Sequence, residues 1–396
     1  MITRVKTLIA LLLIFQFIGC NDNKETKKED KRSIVEKSVD QYDTAYTEIN
    51  KHLEMKRFIP RSIKNNAMKY VGAYDWTSGF YPGTLWNLYK LSGDNKWKER
   101  ATIYTEKLDT IQYWEGNHDV GFMIECSFGN GIKYANIEEY NDVVVQTAKS
   151  LSTRFRPDAG VIQSWGSNKK WDCPVIIDNM MNLELLFNAT KISGDSTYYN
   201  IAVTHANTTI KNHFRPDFSS YHVVDYNPET GEVNKKNTHQ GLKDESAWAR
   251  GQAWGLYGYT VSYRETKDPK YLEQAQKIAE FIKNNPNLPK DKVPYWDYSA
   301  PASEETPRDA SAAAITASAL YELATFSENA NKKEHKDFAD EIMSSLSSPA
   351  YFAETGTNEG FLLKHSVGSI PHGAEIDAPL NYADYYYTEA LIRRGE

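Results

Sequence analysis

From residue 78 onward the chain alternates between two kinds of helical pattern. One is apolar nearly all round and mixes small with large residues; the other carries a single apolar stripe at helical spacing. Each pair opens on a loop rich in Gly and aromatics and is divided by a turn of Gly, Asp, Asn or Lys. Residues 78–94, Ser78-Gly-Phe-Tyr-Pro-Gly-Thr-Leu-Trp-Asn-Leu-Tyr-Lys-Leu-Ser-Gly-Asp94, are one apolar member, with 96–108 as partner. Residues 178–192, the turn Ser193-Gly-Asp195 and a helix from Thr197 make a second pair. Residues 248–266, the turn Lys267-Asp-Pro269 and 270–282 make a third, in which Leu272, Ala275, Ala279 and Ile282 align and Pro269 suits a first helical turn. A fourth runs from Asp309 to a helix over 334–346, residues 121–154 give a weaker unit, and 381–393 predict a closing helix.

Recurring pairs of an apolar and an amphipathic helix predict an all-α closed double ring, apolar members inside and striped members outside. An open solenoid would need polar end caps and a regular short period, whereas this spacing is irregular and the loops are long. Such loops collect at one end of a ring and shape a pocket. Strand patterns are few: residues 219–225 and 231–233 predict a short hairpin.

Composition narrows the task. The 396 residues are 40% hydrophobic and 25% charged, which suits a globular chain with a large core, and a net charge of -7 without a basic block argues against nucleic-acid binding. Aromatics reach 13%, and flat aromatic faces suit sugar rings. At the N-terminus Arg4 and Lys6 precede an apolar run over 8–18, too short for a membrane span. Phe17-Ile-Gly-Cys20 resembles a bacterial lipobox, with Phe17 where Leu is usual. The expected layout is a signal peptide over 1–19, a flexible tether over 20–33 lipidated at Cys20, and one catalytic domain over 34–396 in the bacterial cell envelope. Cys126 and Cys173 match no metal spacing and are read as buried thiols.

The chemistry gathers around Val175-Ile-Ile-Asp-Asn-Met-Met-Asn-Leu-Glu-Leu-Leu-Phe187, where Asp178 heads an apolar helical run. A carboxylate there must be paired, protonated or employed, because burying the bare ion costs several kcal/mol. An N-cap is the plainer use. Read as α-helix, Asp178 and Asn182 share a face and converge on one ligand. Asn117-His-Asp-Val-Gly-Phe122 and residues 238–254 add acids, histidines, Arg250 and tryptophans in similar surroundings.

Taken in order, Trp76-Thr-Ser-Gly-Phe-Tyr-Pro-Gly83, His118-Asp-Val-Gly-Phe122, Ile177-Asp-Asn-Met-Met-Asn182, Thr238-His-Gln-Gly241, Trp248-Ala-Arg-Gly-Gln-Ala-Trp254, Val293-Pro-Tyr-Trp-Asp297 and Pro307-Arg-Asp-Ala-Ser-Ala-Ala313 resemble the unsaturated glucuronyl hydrolases of glycoside hydrolase family 88. The resemblance spans residues 74–391. It implies an (α/α)6 barrel and removal of a 4,5-unsaturated uronic acid from the non-reducing end of oligosaccharides left by polysaccharide lyases. It also implies that Asp178 is the general acid/base and Asp119 a second essential carboxylate.

Those residue types fit that chemistry. The C4=C5 bond is a vinyl ether, so protonation at C4 gives an oxygen-stabilised cation at C5, and hydration there needs a donor that then acts as base. Asp178 takes this role, and Asp119 keeps it protonated. For substrate contacts the reading names His239, Arg250 as a fork for the uronate carboxylate, Trp76, Trp248 and Trp254 as ring platforms, Asn182, and Ser366 near the leaving sugar. A structural pairing of Arg250 with Asp309 is the competing view. No metal or cofactor signature is present, so the expectation is a monomer that needs only its oligosaccharide substrate. Two other readings remain: an unsaturated rhamnogalacturonyl hydrolase of the related family 105, and a catalytically silent glycan-binding lipoprotein.

Overall fold

The computed structural model describes residues 31–396. The expected signal peptide over 1–19 and Cys20 therefore lie outside the described residues. Ser33 opens the first helix, α1 (Ile34–Asn50), through a capping box in which its hydroxyl accepts the Glu36 N–H at 3.1 Å and Glu36 accepts the Ser33 N–H at 2.7 Å. The periodicity reading passed over this helix, although Ser33-Ile-Val-Glu36 carries its signature.

Five pairs and a closing helix follow. They are α2 (Phe80–Ser92) with α3 (Asn95–Glu106), then α4 (Val120–Ile124), a π turn (Glu125–Gly129) and α5 (Asn130–Ala135) as one interrupted helix with α6 (Tyr140–Ser152). A 3-10 turn (Ile177–Asn182) leads into α7 (Leu183–Ser193), paired with α8 (Ser196–His213). Next come α9 (Ala249–Thr266) with α10 (Pro269–Asn284), α11 (Ala310–Phe326) with α12 (Asn329–Leu346), and α13 (Asn381–Arg394). The first member of each pair, together with α13, forms an inner ring that closes where α13 packs on both α11 and α2. Helices α1, α3, α6, α8, α10 and α12 stand outside, so the all-α (α/α)6 barrel is the fold.

The turns between partners explain their composition. Gly93 and Gly194 take left-handed conformations (φ 69° and 75°) that end α2 and α7, and Asp94 and Asp195 then cap α3 and α8. Lys267 ends α9 in the same way and Asp268 caps α10. Within the inner ring, backbones approach closely where a side chain is missing. A Cβ on Gly121 would lie 2.4 Å from Asn182 Oδ1, and one on Gly258 would lie 2.4 Å from Met180 Cβ. Both contacts fix the strands of chain next to Asp178.

Strands sit in the loops. The expected hairpin is present as β6 (Val223–Tyr226) and β7 (Val233–Asn237), but it continues into a third antiparallel strand, β5 (Cys173–Ile176), which leads straight to Asp178. Hairpins β1 (Ile59–Lys64) with β2 (Ala67–Val71), and β8 (Ser366–Ser369) with β9 (Ala374–Ala378), were not foreseen. A two-residue pair, β3 (Phe155–Arg156) with β4 (Val161–Ile162), completes the set. Cys126 and Cys173 are both buried and free.

Candidate active site

The N-terminal ends of the inner helices surround one region. Asp119 is the N-cap residue of α4, Asp178 lies in the turn before α7, Trp248 precedes α9, and Asp309 caps α11 through the Ser311 N–H at 3.1 Å. Two acids enter this region without a basic partner on either oxygen pair. Burial raises the Asp178 carboxyl to about 7, against the opposing pull of the Arg250 charge and the Trp254 indole N–H. Asp178 Oδ2 accepts no hydrogen bond. Burial also pushes Asp119 well above the usual carboxylate range, reinforced by Asp178 and Asp75 and opposed by Arg154. Both shifts favour a proton held within the pair.

The hydrogen bonds decide where that proton sits. Asn182 Oδ1 accepts the Phe122 N–H at 3.0 Å, so its Nδ2 donates to His118 Nδ1 at 3.3 Å. His118 then carries its hydrogen on Nε2, 3.2 Å from Asp119 Oδ1, and burial holds the ring neutral by lowering its pKa to about 3. Asp119 thus has a neutral imidazole beside it. Asp178 has a weaker neighbour in His222, whose Nδ1 accepts the backbone N–H groups of His239 (3.1 Å) and Gln240 (3.0 Å). The His222 hydrogen is therefore on Nε2, which stands 3.6 Å from Asp178 Oδ2. An imidazole closer to Asp119 than to Asp178, and no donor within bonding distance of Asp178 Oδ2, favour the proton on Asp178.

Several expected contacts are corrected. Residues 177–182 form a 3-10 turn, with about three residues per turn, so Asn182 leaves the face of Asp178. It is fully buried and holds His118 instead of a ligand. Trp254 is fully buried against Phe122 (5.1 Å) and Tyr386 (5.4 Å), so it is core and not a sugar platform. Trp248 is nearly so, and its ring supports His222 (4.6 Å) and the Arg250 guanidinium (4.4 Å). Ser366 is buried in β8 with its hydroxyl unpartnered. Trp76 is half-buried between Phe122 (5.9 Å) and Tyr382 (5.0 Å), and so keeps an open portion.

For His239 the assignment moves one residue pair over. His222 is the imidazole that faces Asp178, while half-buried His239 packs behind it against His372 (4.4 Å), Trp171 (5.5 Å) and Trp165 (5.6 Å). The sequence signal for His222 was its place at the head of the strand Val223–Tyr226, which pairs with the strand leading to Asp178. For Arg250 the structure shows the pairing with Asp309. Its Nη1 pairs with Asp309 Oδ2 at 3.2 Å and donates to Val367 O, and its Nη2 donates to Gly368 O at 2.6 Å. Its Nε–H, however, is buried without a partner, leaving one edge of the fork unused. Asp297 explains another motif: its Oδ2 accepts the Leu242 N–H (2.9 Å) and the Ser246 hydroxyl (2.7 Å), which ties down the loop that carries His239.

No protein-family model matches the chain. Individual proteins do. Over 395 residues, 98% of this chain and 98% of the relative, it is 45% identical to the unsaturated glucuronyl hydrolase of Formosa agariphila. A solved unsaturated glucuronyl hydrolase specific for heparin is 46% identical and superposes with a TM-score of 0.85, covering 91% of this chain and 97% of the other. A mutant of the Streptococcus agalactiae enzyme complexed with dGlcA-GalNAc6S is 30% identical, with a TM-score of 0.74 over 92% of this chain and 90% of the other. With that identity over nearly its whole length, the chain belongs to the unsaturated glucuronyl hydrolases, and it is a glycoside hydrolase.

Proposed function

We infer that the enzyme removes a 4,5-unsaturated uronic acid from the non-reducing end of glycosaminoglycan-derived oligosaccharides by acid-catalysed hydration of the C4=C5 bond. Asp178 gives its proton to C4, and the positive charge settles at C5, stabilised by the ring oxygen. Water adds its oxygen to C5 and returns a proton to the Asp178 carboxylate, which restores the acid. The hemiketal formed at C5 opens, and the aglycone leaves. No attack at the anomeric carbon is needed, which sets this use of two carboxyls apart from ordinary glycosidase chemistry.

The observation that carries this reading is the pair of acids: Asp119 with the His118 imidazole at 3.2 Å, and Asp178 buried with an oxygen free and a carboxyl raised to about 7. The half-buried face of Trp76 is left to meet the ring, and the Arg250 Nε–H, buried without a protein partner, is the donor proposed for its carboxylate. The heparin specificity of the 46% identical relative makes unsaturated heparin disaccharides the first substrates to try. The test follows loss of ultraviolet absorbance of the C4=C5 bond across unsaturated disaccharides from heparin, chondroitin, hyaluronan and pectin. Turnover of the glycosaminoglycan products supports the proposal; preference for pectin products favours the rhamnogalacturonyl alternative, and binding without turnover favours the silent lectin-like one. For location we propose lipidation at Cys20, supported by the lipobox-like Phe17-Ile-Gly-Cys20. Cys20→Ala should move the protein out of the membrane fraction, because acyl anchoring rests on about 0.8 kcal/mol per buried methylene.

A further inference from the structure

Arg154 follows the last turn of α6, in a stretch without any chemical signature, yet its side chain is 7% exposed. Its Nε–H donates to Gln163 O at 2.7 Å and its Nη1 to Glu115 O at 2.6 Å, while Nη2 is buried with no protein partner. Among the described residues it forms no ion pair. A buried guanidinium held only by carbonyls keeps its full charge to act on what lies near it.

The two carbonyls identify what it fastens. Glu115 lies on the loop that runs into His118 and Asp119. Gln163 belongs to a segment on which both acid-bearing stretches lean: the His118 N–H donates to Ser164 O (3.1 Å), the Ile176 N–H to Ser164 Oγ (3.0 Å), and Asn179 Nδ2 to Ile162 O (2.5 Å). Residues 162–164 are thus a plank with the Asp119 loop on one side and the Asp178 turn on the other. Arg154 is bolted to plank and loop together. Of the groups that bear on Asp119, Asp178 and Asp75 are acids that raise its pKa, Arg154 is the cation that lowers it, and the neighbouring His118 ring is neutral. Arg250 places its charge on Asp178 instead.

We propose that Arg154 is a positioning residue of the reaction, which locks the 115–119 loop to residues 162–164 and whose uncompensated charge opposes protonation of Asp119. This rests on the roles given above to Asp178 and Asp119. Removing the charge makes Asp119 hold a proton at higher pH.

The experiment compares kcat/KM against pH for wild type, Arg154→Gln, Arg154→Met and Arg154→Lys, with folding checked by circular dichroism. The neutral variants are expected to lose about tenfold in kcat, with the acidic limb displaced upward by about half a pH unit or more. Arg154→Lys keeps the charge, so its limb stays with wild type while its rate falls through the looser loop. A limb unmoved in a folded neutral variant, or moved as far in Arg154→Lys, overturns the proposal. Should neither neutral variant fold, Arg154→Lys decides alone: reduced kcat with the limb in place supports the role, and wild-type kcat overturns it. Asp119→Asn in the same series separates the two levels. Full activity there sinks the catalytic assignment itself, whereas an inactive Asp119→Asn beside an unshifted Arg154→Gln sinks only the role of Arg154.

Discussion

Asp178 and Glu322 are both buried carboxyls of the inner ring, one at the N-terminal end of its helix and one near the C-terminal end of α11. Burial pushes each of them up, but their outcomes are opposite. Asp178 rises to about 7, whereas Arg393 and Arg264 outweigh burial at Glu322 and hold it below the usual carboxylate range. Around Glu322 lies a cavity of about 500 Å³, lined by Glu184, Glu322, Glu389, Arg264 and Arg393 among others. Arg264 there pairs with Glu184, with Glu265 (2.8 Å) and with Glu322 (2.8 Å), and Arg393 with Glu322 (2.7 Å) and Glu389 (3.5 Å). Tyr257 and Ser318 add hydroxyl donors to Glu389. This network stitches α7, α9, α11 and α13 together. Glu125, which borders the same cavity but receives only Asn188 (3.0 Å), behaves like Asp178: burial, then Glu184, raises it to about 8. Partners rather than burial decide protonation, and the barrel uses full pairing for cohesion and withheld pairing for chemistry.

The largest expected effect breaks the unpaired end. Asp178→Asn and Asp119→Asn should each cost about a thousandfold or more in kcat with the fold intact, because an amide cannot cycle a proton. Near-wild-type turnover at unchanged circular dichroism would remove the assigned role. Asp178→Asn should at the same time raise Tm at pH 8. With a folded pKa above the unfolded one, the native acid gives its full stability below the unfolded value near 4, and that stability is lost as the pH rises through about 7. The gain should therefore shrink toward pH 4, and a pH-independent difference in Tm would count against the raised pKa.

Next in size is the paired end. Glu322→Ala leaves two buried guanidinium groups short of a partner and should destabilise by about 3 kcal/mol, seen as a Tm lower by several degrees. Turnover should stay within about twofold, since Glu322 belongs to the far network and not to the acid pair. Its pH dependence runs opposite to that of Asp178: the stability it contributes is present above its unfolded pKa and disappears as the pH falls through the lower folded value. A large loss of kcat at unchanged Tm would mean that the two ends are not separable.

Smaller effects test the edge of the site. In wild type, kcat should fall as the pH climbs through about 7, as the Asp178 proton is lost. His222→Gln should lower kcat by about tenfold while leaving KM nearly unchanged, if the imidazole only orients Asp178. Arg250→Lys should raise KM by about tenfold and reduce kcat less, because an ammonium cannot serve Asp309, Val367 and Gly368 and still offer an edge to the substrate. A substrate with its uronate carboxylate methylated should bind wild type poorly and the Lys variant little worse. Equal processing of ester and acid would leave Arg250 purely as the partner of Asp309.

Much of the architecture was written locally in the chain. The alternation of all-apolar with striped helices announces a double ring, because only a helix surrounded by others can be apolar on every face, and the Ser-Gly-Asp turns announce where each inner member stops and its partner begins. Asp178 and Asp119 stand out for the same reason: an acid at the head of an apolar run is costly unless it is used. What the sequence by itself could not determine is which polar group meets which. Periodicity placed Asn182 beside Asp178, but tertiary packing tightened residues 177–182 into a 3-10 turn and gave Asn182 to His118, some 60 residues away in the chain. His222, Arg154 and the burial of Trp254 and Ser366 arise from long-range contacts with no local pattern. Hydrophobic periodicity is a property of neighbours along the chain and survives in the sequence; hydrogen-bond pairing and pKa depend on distance and burial, which exist only once the ring has closed.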